Sequence, residues 1–166
     1  MILGMSTATY TLVHVLISLA GIGSGLVVMF GLIAQKRLDG WTAVFLTSTA
    51  LTSITGFGFP FHGLLPGHFV GIISLVTLAI VIPARYVFRL AGPWRWTYVV
   101  GSAIALWLNV FVLIVQSFQK VAALRELAPT QKEPPFVVTQ LLALLIFATL
   151  TVFATLRFHP ERVRGA

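Results

Sequence analysis

Three of the four histidines of this chain lie where long apolar runs begin or end. His14 lies near the start of the first run, and His62 and His68 lie in the turn FGFPFHGLLPGHF between the second and third runs. Neutral imidazole is a common ligand of zinc, copper and haem iron. Rings that converge at one end of a helix bundle can therefore hold such a group. We predict a cofactor-binding or metal-binding site, for haem or a divalent metal, formed by His14, His62 and His68.

These histidines also have a purely structural interpretation. His62 and His68 are six residues apart, which matches no standard ligand motif, and a histidine in a loop needs no ligand. His14 can bond a hydroxyl or carbonyl group of a neighbouring helix. His159 is expected at the level of the lipid headgroups. The sequence leaves both interpretations open.

A second set of polar side chains lies within the apolar runs. Ser102, Asn109 and Gln116 are spaced by seven residues, so they share one stripe of a helix, and Gln140 lies near the start of the last run. Amide side chains are costly in hydrocarbon and usually face the interior of a bundle. This polar intramembrane stripe favours, as one alternative, a carrier or pore for a small neutral solute.

Residues that are missing from the apolar runs narrow the possible chemistry. The chain has no cysteine, which excludes thiolate metal sites and disulfides. Ion-coupled carriers usually hold an acidic residue within the membrane, and no serine lies in a nucleophile motif. The sequence therefore gives no support for an enzyme or an ion-coupled carrier. The four acidic residues, all outside the runs, are Asp39, Glu126, Glu133 and Glu161.

Composition decides the fold class. Hydrophobic residues make up 58% of the 166 residues and charged residues only 9%, whereas a soluble domain has about 25% charged residues. A membrane span needs about 20 apolar residues, so membrane crossings use up the whole length. We predict an all-α integral membrane bundle of five transmembrane helices in a single domain, residues 1–166. The predicted spans are about 9–34, 41–59, 68–88, 96–118 and 136–156.

The cations predict the orientation of these spans. Five crossings place eight of the eleven Lys and Arg residues on one side, and the positive-inside rule makes that side cytoplasmic. The N-terminus and the turn with His62 and His68 then face outward, the C-terminus is cytoplasmic, and the membrane is the cell membrane. The net charge of +7 comes from Lys and Arg residues at the span ends, where we expect them to contact anionic lipid headgroups and not nucleic acid.

Local patterns predict three details of packing. Gly21 and Gly25 form a GxxxG pair, which lets a neighbouring backbone approach closely. The fourth helix should continue as one rod to about Leu127, because good helix formers follow it. Arg85, at the end of the third span, is expected to reach the headgroups.

Three function classes follow. The favoured one is a non-enzymatic subunit or assembly component of a larger membrane complex, bound to a membrane protein partner or to copies of itself. The small-residue face of the first span and Trp107, opposite the Asn109 stripe and expected to face lipid or a partner, suit this class. The alternatives are a haem- or metal-binding membrane redox protein and the carrier or pore for a small neutral solute.

Overall fold

The computed structural model describes residues 4–59 and 66–159 of the chain. It is 83% helical, and the described residues contain no strand. Six helices follow one another in these ranges. They are α1 (Thr7–Ile33), α2 (Asp39–Gly56), α3 (Pro66–Tyr86), α4 (Pro93–Lys120), α5 (Ala122–Leu127) and α6 (Pro134–Arg157).

Local sequence signals fix several helix ends. The Ser6 hydroxyl caps α1 by accepting a hydrogen bond of 3.1 Å from the Thr9 amide. Proline occupies the first turns of α4 and α6, where the backbone N–H groups have no partner within the helix. Before α4, Gly92 takes a positive φ of 51°, a conformation that favours glycine. These residues therefore set where α1, α4 and α6 begin.

Four helices among the described residues are long and apolar enough to cross a membrane, namely α1, α3, α4 and α6. This finding agrees with the predicted helical membrane bundle. The remaining long helix, α2, is shorter and rich in serine and threonine, which lowers its hydropathy. The predicted number of five spans and the predicted orientation stay predictions.

The helices pack as a ring of four with one helix added outside. Neighbours in the ring, α1 with α2, α2 with α3, α3 with α4 and α4 with α1, are all in contact, and α6 packs against α1 and α4. Across the ring, the Asn109 amide of α4 donates to the Thr49 hydroxyl of α2 at 3.1 Å. The hydrophobic core includes the fully buried Val81, Ala105 and Leu106 of the ring and continues to Phe147 and Ala154 of α6.

Small residues on α1 allow the close packing of the ring. A Cβ atom added at Gly25 would lie 2.6 Å from Leu106 of α4 and 2.8 Å from Phe45 of α2. One added at Gly21 would lie 3.3 Å from the Ser48 hydroxyl. The GxxxG pair therefore makes room for side chains of two helices, α2 and α4, and the close approach of a neighbouring backbone stays a prediction.

Two predicted details are wrong. The fourth helix is not one rod to Leu127, because Val121 is extended (φ −86°, ψ 116°) and separates α4 from α5. The cause is tertiary: the chain after α5 folds back, Ala128 is fully buried, and the Gln131 amide donates to the Val115 carbonyl at 2.9 Å. Helix propensity contains no information about these contacts. Trp107, which we expect from the sequence to face lipid or a partner, is half-buried and packs against the core.

Candidate functional site

A cavity of about 520 Å³ lies within the ring of α1, α2, α3 and α4, at the end where α2 finishes and α3 begins. Along α4 its lining runs from Leu108 to Lys120, which corresponds to about 18 Å of helix. The cavity is therefore long and narrow. Its described polar lining residues are Thr11, His14, Ser18, Thr52, Ser53, His68, Ser74, Asn109, Gln116, Ser117 and Lys120.

His14 projects from α1 into this cavity. Its Nδ1 lies 2.8 Å from the Thr55 hydroxyl, which itself donates to the Leu51 carbonyl at 2.7 Å. Nδ1 donates to this hydroxyl in one tautomer of the imidazole and accepts from it in the other. The ring also packs edge-on against Phe59, with centroids 5.2 Å apart. Its Nε2 has no hydrogen-bond partner among the described residues and is available to a ligand.

His68 lies on the opposite wall, in the first turns of α3. Its side chain is buried, and its ring lies 5.6 Å from that of Phe57 at the end of α2. His14 and His68 thus line the same cavity, but His62 lies outside the described residues. Across residues 4–59 and 66–159, no three His, Cys, Asp or Glu side chains group closely enough to hold a metal ion. The shared haem or metal site stays a prediction.

The structure divides the predicted polar stripe. Asn109 and Gln116 line the cavity, whereas Ser102 is buried in the ring beyond its inner end. Gln140 lies on α6 outside the cavity lining, where its amide donates to the Phe111 carbonyl at 3.2 Å. Four of the predicted residues, His14, His68, Asn109 and Gln116, therefore line one cavity, while Ser102 and Gln140 do not line it.

Hydroxyl groups of α2 also contribute to the wall. The Ser53 hydroxyl bonds that of Ser74 at 3.0 Å and so joins α2 to α3. The Thr52 hydroxyl oxygen is buried and has no hydrogen-bond partner in the described part of the chain. A buried polar atom without a partner is uncommon and costs free energy.

Lys120, which the sequence reasoning did not select, lies at the mouth of the cavity. It follows Gln116 by four residues and so continues the stripe of Asn109 and Gln116 along α4, a spacing that would have revealed it. Lys120 and His14 line the same cavity. It is the single permanently charged side chain among the described lining residues.

The opposite end of the ring is closed around Arg85. This side chain is fully buried, and its Nη2 donates to Asp39 at 2.5 Å and to the Arg37 carbonyl at 2.9 Å. The guanidinium also lies over the ring of Tyr98, 5.0 Å from its centroid. The prediction that Arg85 reaches the headgroups is therefore wrong. The reason is that Asp39, at the start of α2, offers a carboxylate at the same level, and a buried arginine keeps its charge and needs such a partner.

Side chains around Arg85 fill the remaining space. Tyr98 is fully buried and lies 3.4 Å from the hydroxyl of Thr42, which is buried as well. On α4 the cavity lining stops at Leu108, ten residues before Tyr98 is reached. The cavity thus ends inside the ring and does not reach the Arg85 end.

Comparison of the chain with protein-family models, curated proteins and solved structures finds no match.

Proposed function

We propose that this chain is a multi-pass membrane protein of the cell membrane that binds a small solute in the cavity and acts as its carrier. The observation that supports this proposal is the cavity itself, a chamber with polar groups in its wall inside an apolar bundle, which ends before the buried Arg85 and its partner Asp39. Amide and imidazole groups are expensive to keep in hydrocarbon. Their collection around one space favours a role in binding a ligand.

The closed end supports a carrier over a pore. A carrier exposes its binding site to one side at a time, by movement of helices around a fixed site near the middle of the membrane. In this chain the Arg85–Asp39 pair joins α3 to α2 at the closed end. Separation of this pair would open the second side, and α1 and α4 would supply the fixed wall.

The orientation belongs to the same proposal. The 18 residues of α2 measure about 27 Å, close to the roughly 30 Å hydrocarbon thickness of a bilayer. Because α2 packs along α1 and α3, which are both apolar enough to span, we infer that it is the fifth crossing. The positive-inside rule then directs the cavity outward and the Arg85 end to the cytoplasm.

The structure gives less support to the other two function classes, the subunit of a larger complex and the haem- or metal-binding redox protein. Most of the α6 surface is exposed and apolar, which suits a protein partner in a larger complex but suits lipid equally well. A redox role needs a cofactor site, for which the structure offers His14 and His68 on one lining. Both interpretations stay predictions.

Cysteine labelling tests the proposal directly, because the chain has no native cysteine. In Val112→Cys the thiol lies in the cavity lining, and we expect a small hydrophilic maleimide to label it in membrane vesicles. Two matched variants on the same helix serve as controls: Ile104→Cys, at a position exposed on the outside of the bundle, and Ala105→Cys, at a fully buried position. If the thiol of Val112→Cys were as unreactive as that of Ala105→Cys, the result would contradict a water-accessible cavity.

A further inference from the structure

The permanent charge in the cavity lining is positive. The described lining includes the ammonium group of Lys120, and no Asp or Glu is among these residues. A cleft with low-dielectric walls and charge of one sign attracts ligands of the opposite sign. The electrostatics of the chamber therefore favour an anion, in contrast to the neutral solute expected from the stripe alone.

Polar groups near Lys120 suit an oxyanion such as a carboxylate. Gln116 lies one helical turn below Lys120 and contributes an amide donor to the same wall. The Nε2 atom of His14 donates a hydrogen bond to a carboxylate in the tautomer that carries the hydrogen there, and accepts one from a carboxylic acid in the other tautomer. Lys120 supplies the permanent positive charge that attracts the carboxylate.

Farther in, the lining combines apolar side chains with polar groups that are bonded within the bundle. Its apolar members are Val15, Leu19, Ile22, Leu108 and Val112. Of the polar members at this level, Ser18 donates to the His14 carbonyl, the Ser53 and Ser74 hydroxyls bond each other, and the Asn109 amide donates to the Thr49 hydroxyl. A ligand that fills a chamber of about 520 Å³ over roughly 18 Å of helix must be elongated. An apolar inner part suits this lining, because burial of apolar surface against the aliphatic side chains is favourable.

On the premise of the solute-binding function above, we propose that the ligand is an amphipathic anion. Its carboxylate or phosphate head lies between Lys120 and His14, and its apolar tail extends along α4 toward Leu108. A free acyl anion and an anionic lipid share this chemistry, and the experiment distinguishes the two sources.

Charged thiol reagents measure the sign of the field in the cavity. Full-length Val112→Cys is treated with the anionic sulfonatoethyl and the cationic trimethylammonioethyl methanethiosulfonates, and the two rates are divided by those for free mercaptoethanol. We expect the anionic reagent to be favoured by about fivefold. Lys120→Gln should remove most of this preference. Arg125→Gln removes a cation at the same end but outside the lining and should leave the preference unchanged.

Protection experiments identify the source of the anion. Octanoate, octyl phosphate and octyltrimethylammonium are each added to Val112→Cys in phosphatidylcholine vesicles, and labelling is repeated without them in vesicles that contain phosphatidylglycerol. Slower labelling with octanoate or octyl phosphate supports a free amphipathic anion. Slower labelling only with phosphatidylglycerol supports an anionic lipid in the same site.

The outcomes separate this proposal from the one on which it rests. Equal rates for both reagents, a preference that survives in Lys120→Gln, or protection by octyltrimethylammonium would overturn the anionic ligand and leave the water-accessible cavity intact. Failure of both reagents to reach the thiol of Val112→Cys would overturn both proposals.

Discussion

The two ends of the helix ring treat polar side chains in opposite ways. At the Arg85 end, one buried cation meets a carboxylate, a carbonyl oxygen and an aromatic ring, although its Nε and Nη1 atoms have no hydrogen-bond partner in the described part of the chain. At the cavity end, Lys120 has no carboxylate among the described lining residues, and the polar groups surround a space. The difference shows that a polar residue near a span end closes a bundle only where a complementary group lies on the facing helix.

The largest expected effect comes from removing the anion of the closed end. Asp39→Asn leaves the buried Arg85 without a charged partner, and we expect it to destabilise the protein by about 3 kcal/mol. Arg85→Met should be far milder, because Asp39 is 72% exposed and stays solvated. Thermal unfolding in detergent, with the exposed Glu126→Gln as control, measures these differences.

The double variant completes this comparison. Arg85→Met combined with Asp39→Asn should recover most of the stability lost in Asp39→Asn, because no buried charge is left uncompensated. Equal losses for the two single variants, or additive losses in the double variant, would show that the pair does not close this end in the way described.

The next largest loss of stability is expected from a substitution on α1, between the two ends of the ring. Gly25→Ala places a methyl group against Leu106 and Phe45 and should cost about 1–3 kcal/mol through overpacking. Gly23→Ala, on the same helix, meets nothing within 4 Å and should be neutral or slightly stabilising. Thermal unfolding compares the two variants. Similar melting temperatures would be inconsistent with the close contact of α1 with α2 and α4.

A smaller contrast distinguishes two hydroxyls in the cavity wall. Ser53→Ala removes the bond to Ser74 and should cost about 1 kcal/mol. Thr52→Val removes a buried oxygen that has no partner in the described part of the chain, so it should be neutral or stabilising in the ligand-free protein. Urea unfolding resolves both values. A larger loss for Thr52→Val than for Ser53→Ala would contradict this assignment.

The smallest effect concerns the connection before α6. Desolvation acts to raise the pKa of Glu133, but hydrogen bonds from Thr130 and nearby backbone amides outweigh it and hold the pKa below its ordinary 4.5. Because the pKa of Glu133 is lower in the folded protein, its ionised carboxylate stabilises this connection. The stabilisation is complete above pH 4.5 and is lost as the pH falls below this value and the carboxylate takes up a proton. Amide exchange of residues 128–133, corrected for intrinsic rates, should therefore accelerate at low pH in the native protein. Glu133→Gln should show a weaker dependence.

Apolar run length and composition predict most of the fold. The helices begin within a few residues of the predicted starts, and the glycine pair on α1 lies in a helix contact, where side chains of α2 and α4 pack against it. The break at Val121 was not predictable, because it depends on contacts of a loop that returns from farther along the chain. Local propensity describes a residue and its neighbours in sequence and contains nothing about such contacts.

The site is predictable in part for a similar reason. Helical spacing groups Asn109 with Gln116 and extends to Lys120, because these residues share one face of one helix. It does not show where the cavity ends, so Ser102 was included although it is buried beyond the inner end. The role of Arg85 cannot be predicted without knowing that α2 packs against α3, since its partner Asp39 is 46 residues away in the sequence.

The most direct test of the account asks whether the Arg85–Asp39 pair holds one end of the ring closed. Ser102→Cys places a thiol in the filled part of the ring, between the cavity and Tyr98. A hydrophilic maleimide added on the Arg85 side should leave this thiol unlabelled in the otherwise native protein and in Arg37→Gln, which keeps the carbonyl that Arg85 uses. When Asp39→Asn is added, at a temperature where the protein stays folded, the same thiol should become reactive. Labelling of the thiol in the otherwise native protein, or none in the Asp39→Asn background, would contradict the account.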